Sequence, residues 1–187
     1  MSGERFKTLT MDEMTPEQRA AAEAIVAGPR GGMKGPFKAL LRSPDLADRV
    51  QRVGEYVRFK SSIHPRLNEL AILLVARQWT AQFEWYAHRE LAMKAGLSPA
   101  IADAIAAGKK PEDMPEEEAL VWQFGSELLQ TREVSDAAYA GVVAKFGERG
   151  AIDLVGAMGY YTIVSMILNV DRVPLPVGVT PLAKLSQ

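Results

Sequence analysis

The chain has 187 residues and no cysteine, with 48% apolar and 24% charged residues and a formal charge of −1. This is the profile of one globular domain with a real core rather than of a disordered segment. It excludes disulfides, thiolate metal sites and thiol nucleophiles, and it offers no broad attraction to nucleic acid or an anionic membrane.

Residues 1–14 lack an apolar signal core and read as an irregular N-terminal arm. Thr15-Pro16-Glu17-Gln18 is a helix start: Thr15 at the N-cap, Pro16 at the first helical position, Gln18 completing a capping box. That alanine-rich helix runs to about Ala27, where Gly28-Pro29-Arg30-Gly31-Gly32 breaks it. The glycine run lacks the Gly-Lys-Ser/Thr ending of a phosphate loop and reads as a loop. Phe37–Leu41 is a short helix, and Ser43-Pro44 opens another with Leu46, Val50, Val53 and Val57 at helical spacing. Two central helices follow, about 65–78 and 81–95, with Thr80 as a cap between them and Gly96 as the terminator of the second.

Ser98-Pro99 begins a short helix that Gly108 closes. Pro115 with Glu116, Glu117 and Glu118 makes an acidic helix start, with Leu120, Val121, Phe124 and Leu128 on the apolar face. Ser135-Asp136 starts the next helix, expected to bury Tyr139, Val142, Val143 and Phe146 before Gly147. A long apolar helix follows at about 149–169, where Gly156 and Gly159 permit close backbone approach. Its composition raises a transmembrane reading, but flanking basic anchors are few and a buried core or interface helix has the same character. A cytoplasmic protein is the default expectation. Pro174, Pro176 and Pro181 mark residues 171–187 as an extended tail. No segment alternates as a strand does. The expected fold is all-α, a single domain of seven or eight helices over residues 15–170.

The chemistry concentrates in residues 65–96. Glu84 and His88 are four apart, so on one helix they share a face, one turn from each other. Glu69 lies earlier, bordered by Ile72 and Leu73, where a carboxylate must be paired, hydrogen-bonded or neutral. The pattern of a Glu, eleven residues, then Cys-x-x-Cys-x-x-x-His is that of the AhpD-like, carboxymuconolactone decarboxylase superfamily. Glu69 stands at the Glu, Ala81 and Glu84 at the two cysteines of the peroxidase branch, and His88 at the His. Pro65-Arg66-Leu67, Glu69-Leu70-Ala71-Ile72-Leu73 and Phe83-Glu84-Trp85 resemble the cysteine-free, decarboxylase-like branch. The likeness extends more weakly over about residues 37–175.

That resemblance implies a small carboxylated lactone or related organic acid as substrate, and lyase or isomerase chemistry without a cofactor. It also implies a trimer or hexamer with sites near subunit contacts. His88 is the expected proton donor, because imidazole titrates near neutrality. Glu84 orients His88 or exchanges a proton itself, and Glu69 sets the imidazole tautomer or relays protons. Arg66 or Arg77 is the expected binder of the substrate carboxylate, since a guanidinium suits bidentate recognition, and Trp85 is an expected substrate contact.

Several plainer readings compete. Glu84–His88 as a solvated helical pair is worth only a few tenths of a kcal/mol. Glu69 with Arg66 makes a structural ion pair, and Trp79, Trp85, Tyr160 and Tyr161 fill a core or interface. His64 is a turn residue before Pro65. A metal site from Glu69, Glu84, His88 and His64 lacks any paired-histidine motif, so no metal is expected. A non-enzymatic small-molecule or partner-binding protein on the same scaffold is the alternative function. A dithiol peroxidase is ruled out by the absence of cysteine.

Overall fold

The structure, a computed structural model, describes residues 3–29 and 31–185. Residues 1–2 of the arm, Arg30 of the glycine-rich loop and residues 186–187 of the tail lie outside the described residues. Among the described residues there are α-helices, one 3-10 turn and no strand, as the periodicity predicts. The helices are α1 (Pro16–Ala27), α2 (Phe37–Leu40), α3 (Pro44–Phe59), α4 (Pro65–Gln78), α5 (Gln82–Lys94), α6 (Pro99–Ala106), α7 (Glu116–Thr131) and α8 (Asp136–Asp171).

Local chemistry sets most of the helix starts. The Thr15 hydroxyl accepts from the Gln18 amide at 3.3 Å, and the Gln18 side chain accepts from the Thr15 amide at 3.0 Å. This is the expected capping box. Helices α1, α3, α4 and α6 each begin with proline, whose missing N–H is one of the donors a first turn leaves unpaired. His64, expected as a plain turn residue, is the N-cap of α4: its Nδ1 accepts from the Arg66 amide at 3.3 Å.

Helix α4 forms the centre. It packs against α5, α6, α7 and α8, and its run from Leu70 to Arg77 is buried on every side. Full burial of an aliphatic side chain such as Leu70, Ile72 or Leu73 contributes roughly 1.5–3 kcal/mol. The α3–α4 connection is fastened to α8 by the buried Asp153. Its carboxylate accepts from the Ser62 amide and the Ser62 hydroxyl, both at 2.7 Å, and from the Tyr56 hydroxyl at 2.9 Å. Asp171, at the end of α8, accepts from the Arg5 and Phe6 amides at 3.1 and 2.8 Å, which ties down the N-terminal arm.

The expected helices on either side of Gly147 run into one another as α8, with a break at Gly147, where φ is 72° and ψ 171°. The left-handed φ at this break is one that glycine adopts without a Cβ penalty. Beyond it, α8 buries Leu154, Ala157, Met158, Tyr161, Val164 and Leu168. Its length and composition would suit a membrane span, but 56% of its apolar window is buried inside the protein, as in a core helix. The opposite side of α8 leaves Ile152, Val155, Ile163, Met166 and Val170 exposed. No atom stands within 4 Å of where a Cβ at Gly156 or Gly159 would lie, so the chain itself does not use the close approach they permit.

One expectation about burial needs correction. Tyr139 is exposed rather than buried. On α3, Leu46 and Val53 are exposed because the buried face is rotated toward Ala47, Val50, Gln51 and Gly54, which leaves them at its margin. The C-terminal tail docks on its own chain. Leu182 enters the core, and its amide and carbonyl exchange hydrogen bonds with the Gln82 side chain at 2.7 and 2.9 Å.

Candidate active site

Glu69 sits in the second turn of α4, and Glu84 and His88 lie on α5. The connection between the helices is only Trp79–Ala81, so the chain must turn sharply. It does so through Thr80, which takes a left-handed φ of 46°, and Ala81 rather than Thr80 is the N-cap of α5. The Ala81 amide bonds back to the Ala76 carbonyl at 2.9 Å, and the Thr80 hydroxyl accepts from Arg77 at 2.7 Å. That closed turn lays α5 along α4 and brings His88 opposite Glu69.

The three predicted side chains meet. His88 Nδ1 lies 2.6 Å from Glu69 Oε2, and Nε2 lies 3.0 Å from Glu84 Oε1. Both ring nitrogens therefore have a carboxylate partner, the arrangement that favours the doubly protonated ring with both N–H groups donating. Burial alone would lower the His88 pKa. The Glu84 charge and the hydrogen bonds to Glu69 and Glu84 outweigh it and raise the pKa from 6.5 to about 9. At neutral pH the ring is thus an imidazolium between two carboxylates. His88 and Glu84 are buried, and Glu69 is the most accessible of the three.

A fourth side chain belongs to this cluster. The Tyr161 ring meets the His88 ring edge-on, with centroids 4.7 Å apart, and Tyr160 meets Tyr161 in the same way at 5.0 Å. The Tyr161 hydroxyl is driven well above its usual pKa by burial, with the Glu84 and Glu69 charges acting in the same direction. It stays a neutral phenol. The sequence reading placed Tyr161 simply in the core. No local signal ties it to His88, because the contact depends on how α8 packs across α4 and α5.

The remaining predicted residues are elsewhere. The Arg66 guanidinium pairs with Glu117 and with the buried Glu118 of α7, not with Glu69. Arg77 is buried and donates to the Ala183 carbonyl at 2.7 Å and the Ala106 carbonyl at 3.1 Å, so it anchors the tail. Neither guanidinium is directed to the cluster as the carboxylate-binding role required. The physical reason is that each found partners inside the fold that sequence spacing does not reveal: the acidic start of α7 for Arg66 and backbone carbonyls for Arg77. Trp85 is buried beside Glu84 and lines a cleft of about 750 Å³ with Tyr86, Arg89, Met93 and tail residues. Among the described residues, no group of His, Asp and Glu side chains is arranged to hold a metal ion.

The fold has a counterpart among solved structures. A crystal structure described as an alkylhydroperoxidase AhpD core, an uncharacterized peroxidase-related protein from Ralstonia eutropha JMP134, superposes with a TM-score of 0.74 at 14% identity. The match covers 95% of this chain and 94% of that one. The fold is AhpD-like. No protein-family model matches the sequence, and no curated protein does. At this identity the likeness extends to the AhpD-like fold and stops there. The description of that neighbour as peroxidase-related does not carry over to a chain without cysteine.

Proposed function

We propose that this protein is a lyase or isomerase of the carboxymuconolactone decarboxylase type, performing cofactor-free acid–base chemistry on a small carboxylated lactone or related organic acid. The observation that carries the reading is the buried imidazolium held at 2.6 and 3.0 Å between two carboxylates. A group of this kind stores a proton at neutral pH and keeps it from bulk water.

The geometry also supports an assignment of the proton-delivering atom. Both His88 N–H groups are spent on carboxylates, so a substrate meets a carboxyl oxygen first and the imidazolium second. When CO2 leaves a conjugated lactone acid, the bonding electrons pass into the lactone carbonyl system as a dienolate. A proton then returns to carbon. The proton passes from His88 Nδ1–H to the Glu69 carboxylate across the 2.6 Å bond, and Glu69, the more accessible acid, delivers it to carbon; solvent then reprotonates the ring. Glu84, 3.0 Å from Nε2, stabilises the imidazolium while the ring holds both protons. Double-bond migration uses the same relay in reverse order, with a carboxylate removing a proton before one is returned. A positioned acid–base group of this sort contributes typically about 10²–10⁴ in rate.

Assembly as a trimer or hexamer belongs to the same proposal and is supported by the uncovered apolar side of α8. The experiment is a turnover assay of carboxylated γ-lactones, following CO2 release and double-bond position, with wild type, Glu69→Gln and His88→Gln. Loss of turnover in both folded variants supports the relay. Full turnover in His88→Gln removes His88 from the reaction.

A further inference from the structure

The end of α4 borders a second cleft, of about 720 Å³, which it forms with the end of α6, with α7 and with the tail. None of Glu69, Glu84, His88 or Tyr161 lines it, so a ligand there is independent of the proposed reaction. Leu74, Ile105, Leu129 and the Trp122 ring supply apolar walls. Arg77, Lys109, Lys110 and Lys184 supply four cations, and no carboxylate among the described residues lines the cleft.

Arg77 is a buried charge without a counter-charge. It is 5% exposed. Its guanidinium donates to the Ala106 and Ala183 carbonyls and to the Thr80 hydroxyl, all of them uncharged. Its Nε, also buried, has no acceptor among the described residues. A cation withdrawn from water and left without an anion is costly, and an anion entering the cleft would offset that cost. The three lysines are exposed, and among the described residues their ammonium groups make no ion pair and no hydrogen bond. Lys110 Nζ lies 5.3 Å from the centroid of the Trp122 ring. Lys109 and Lys110 also border a neighbouring cleft that holds Glu112, Asp113 and Glu118, yet neither pairs with any of those carboxylates. A concave surface of one sign over low-dielectric walls concentrates its field and attracts an ion of the opposite sign. The indole and the aliphatic walls favour a ligand that carries an apolar body behind its charge.

We propose that this cleft is a second binding site, which takes a small organic anion with a flat apolar body, such as an aromatic carboxylate. The anionic head supplies the counter-charge that Arg77 and the lysines lack, and the body lies against Trp122 and its aliphatic neighbours. A plainer account exists, in which the four cations only complement the negative ends of α4 and α6. That account predicts a change in stability on substitution and no saturable anion binding.

The test is titration calorimetry on the full chain with 2-naphthoate, neutral 2-naphthamide and inorganic phosphate. Wild type is compared with the triple variant Lys109→Gln, Lys110→Gln, Lys184→Gln. A control triple, Lys60→Gln, Lys94→Gln, Lys145→Gln, removes the same charge from surface ion pairs outside the cleft. Circular dichroism and urea midpoints check folding. Wild type should bind 2-naphthoate saturably, roughly tenfold or more tighter than the amide, the size of a charge-assisted hydrogen bond, and tighter than phosphate. The cleft triple should weaken that preference severalfold, and the control triple should keep it. The chain has three tryptophans, so the indole N–H signal of Trp122, assigned with Trp122→Phe, reports where the ligand sits and should shift on adding 2-naphthoate. The proposal is overturned if 2-naphthoate does not saturate, or if the amide or phosphate binds as tightly. It is equally overturned if both triples behave alike, or if the Trp122 signal stays in place.

Discussion

The protonation of His88 offers the sharpest check on the site. Its pKa is raised from 6.5 to about 9 by Glu84 and Glu69, against the effect of burial. At about 1.36 kcal/mol per unit, that displacement corresponds to a stabilisation on the order of 3 kcal/mol for the protonated native state. The folded protein holds the proton more tightly than the unfolded chain does. The contribution is therefore complete below pH 6.5, declines through the interval up to about 9, and is gone above it. Over that interval the stability should fall by about 1.4 kcal/mol per pH unit. The chain has two histidines, so nitrogen-edited NMR of the imidazoles, assigned with His64→Asn, reads the His88 titration directly. Urea unfolding across the same range reads the linked stability. Glu84→Gln keeps an acceptor for Nε2–H but removes the charge, so it should move the titration down and flatten the slope. An imidazole that titrates at or below 6.5, with a level stability profile in wild type, would refute the picture of an imidazolium between two carboxylates.

Other expectations concern single packing and hydrogen-bond features. Gly125→Ala places a Cβ 2.8 Å from Leu74 Cδ1 and 3.3 Å from Met158 Cε, where α7 meets α4 and α8. Denaturant midpoints should show a loss of about 1–3 kcal/mol from overpacking. Asp153→Ala leaves the Ser62 amide and hydroxyl without their acceptor and frees the α3–α4 connection. A cost of about 1–3 kcal/mol is expected, and equal stability of Asp153→Ala and wild type would dismiss the anchoring role. Arg77→Met removes the donors to Ala183 and Ala106. Limited proteolysis should then cut residues 175–185 faster while the His88 titration stays unchanged, and an unaltered digestion pattern counts against the tail anchor.

Local rules accounted for the helices because their causes are local. A capping box at Thr15–Gln18, prolines at four first turns and glycine at Gly96 act over one turn of chain, and each element appears where those signals stand. The Glu84–His88 pair is legible for the same reason, since four residues on a helix is one turn. Glu69 stood out by its apolar neighbours Ile72 and Leu73, but its place beside His88 was reachable only through family resemblance, because the 2.6 Å contact depends on α5 folding back along α4. What the tertiary structure alone decided is the pairing of long, flexible cations. Arg66 went to the acidic start of α7 and Arg77 to the carbonyls of the tail. A guanidinium reaches several ångströms from its backbone and accepts any carboxylate or carbonyl within range. Its partner is therefore set by packing between distant helices, which no spacing along the chain encodes.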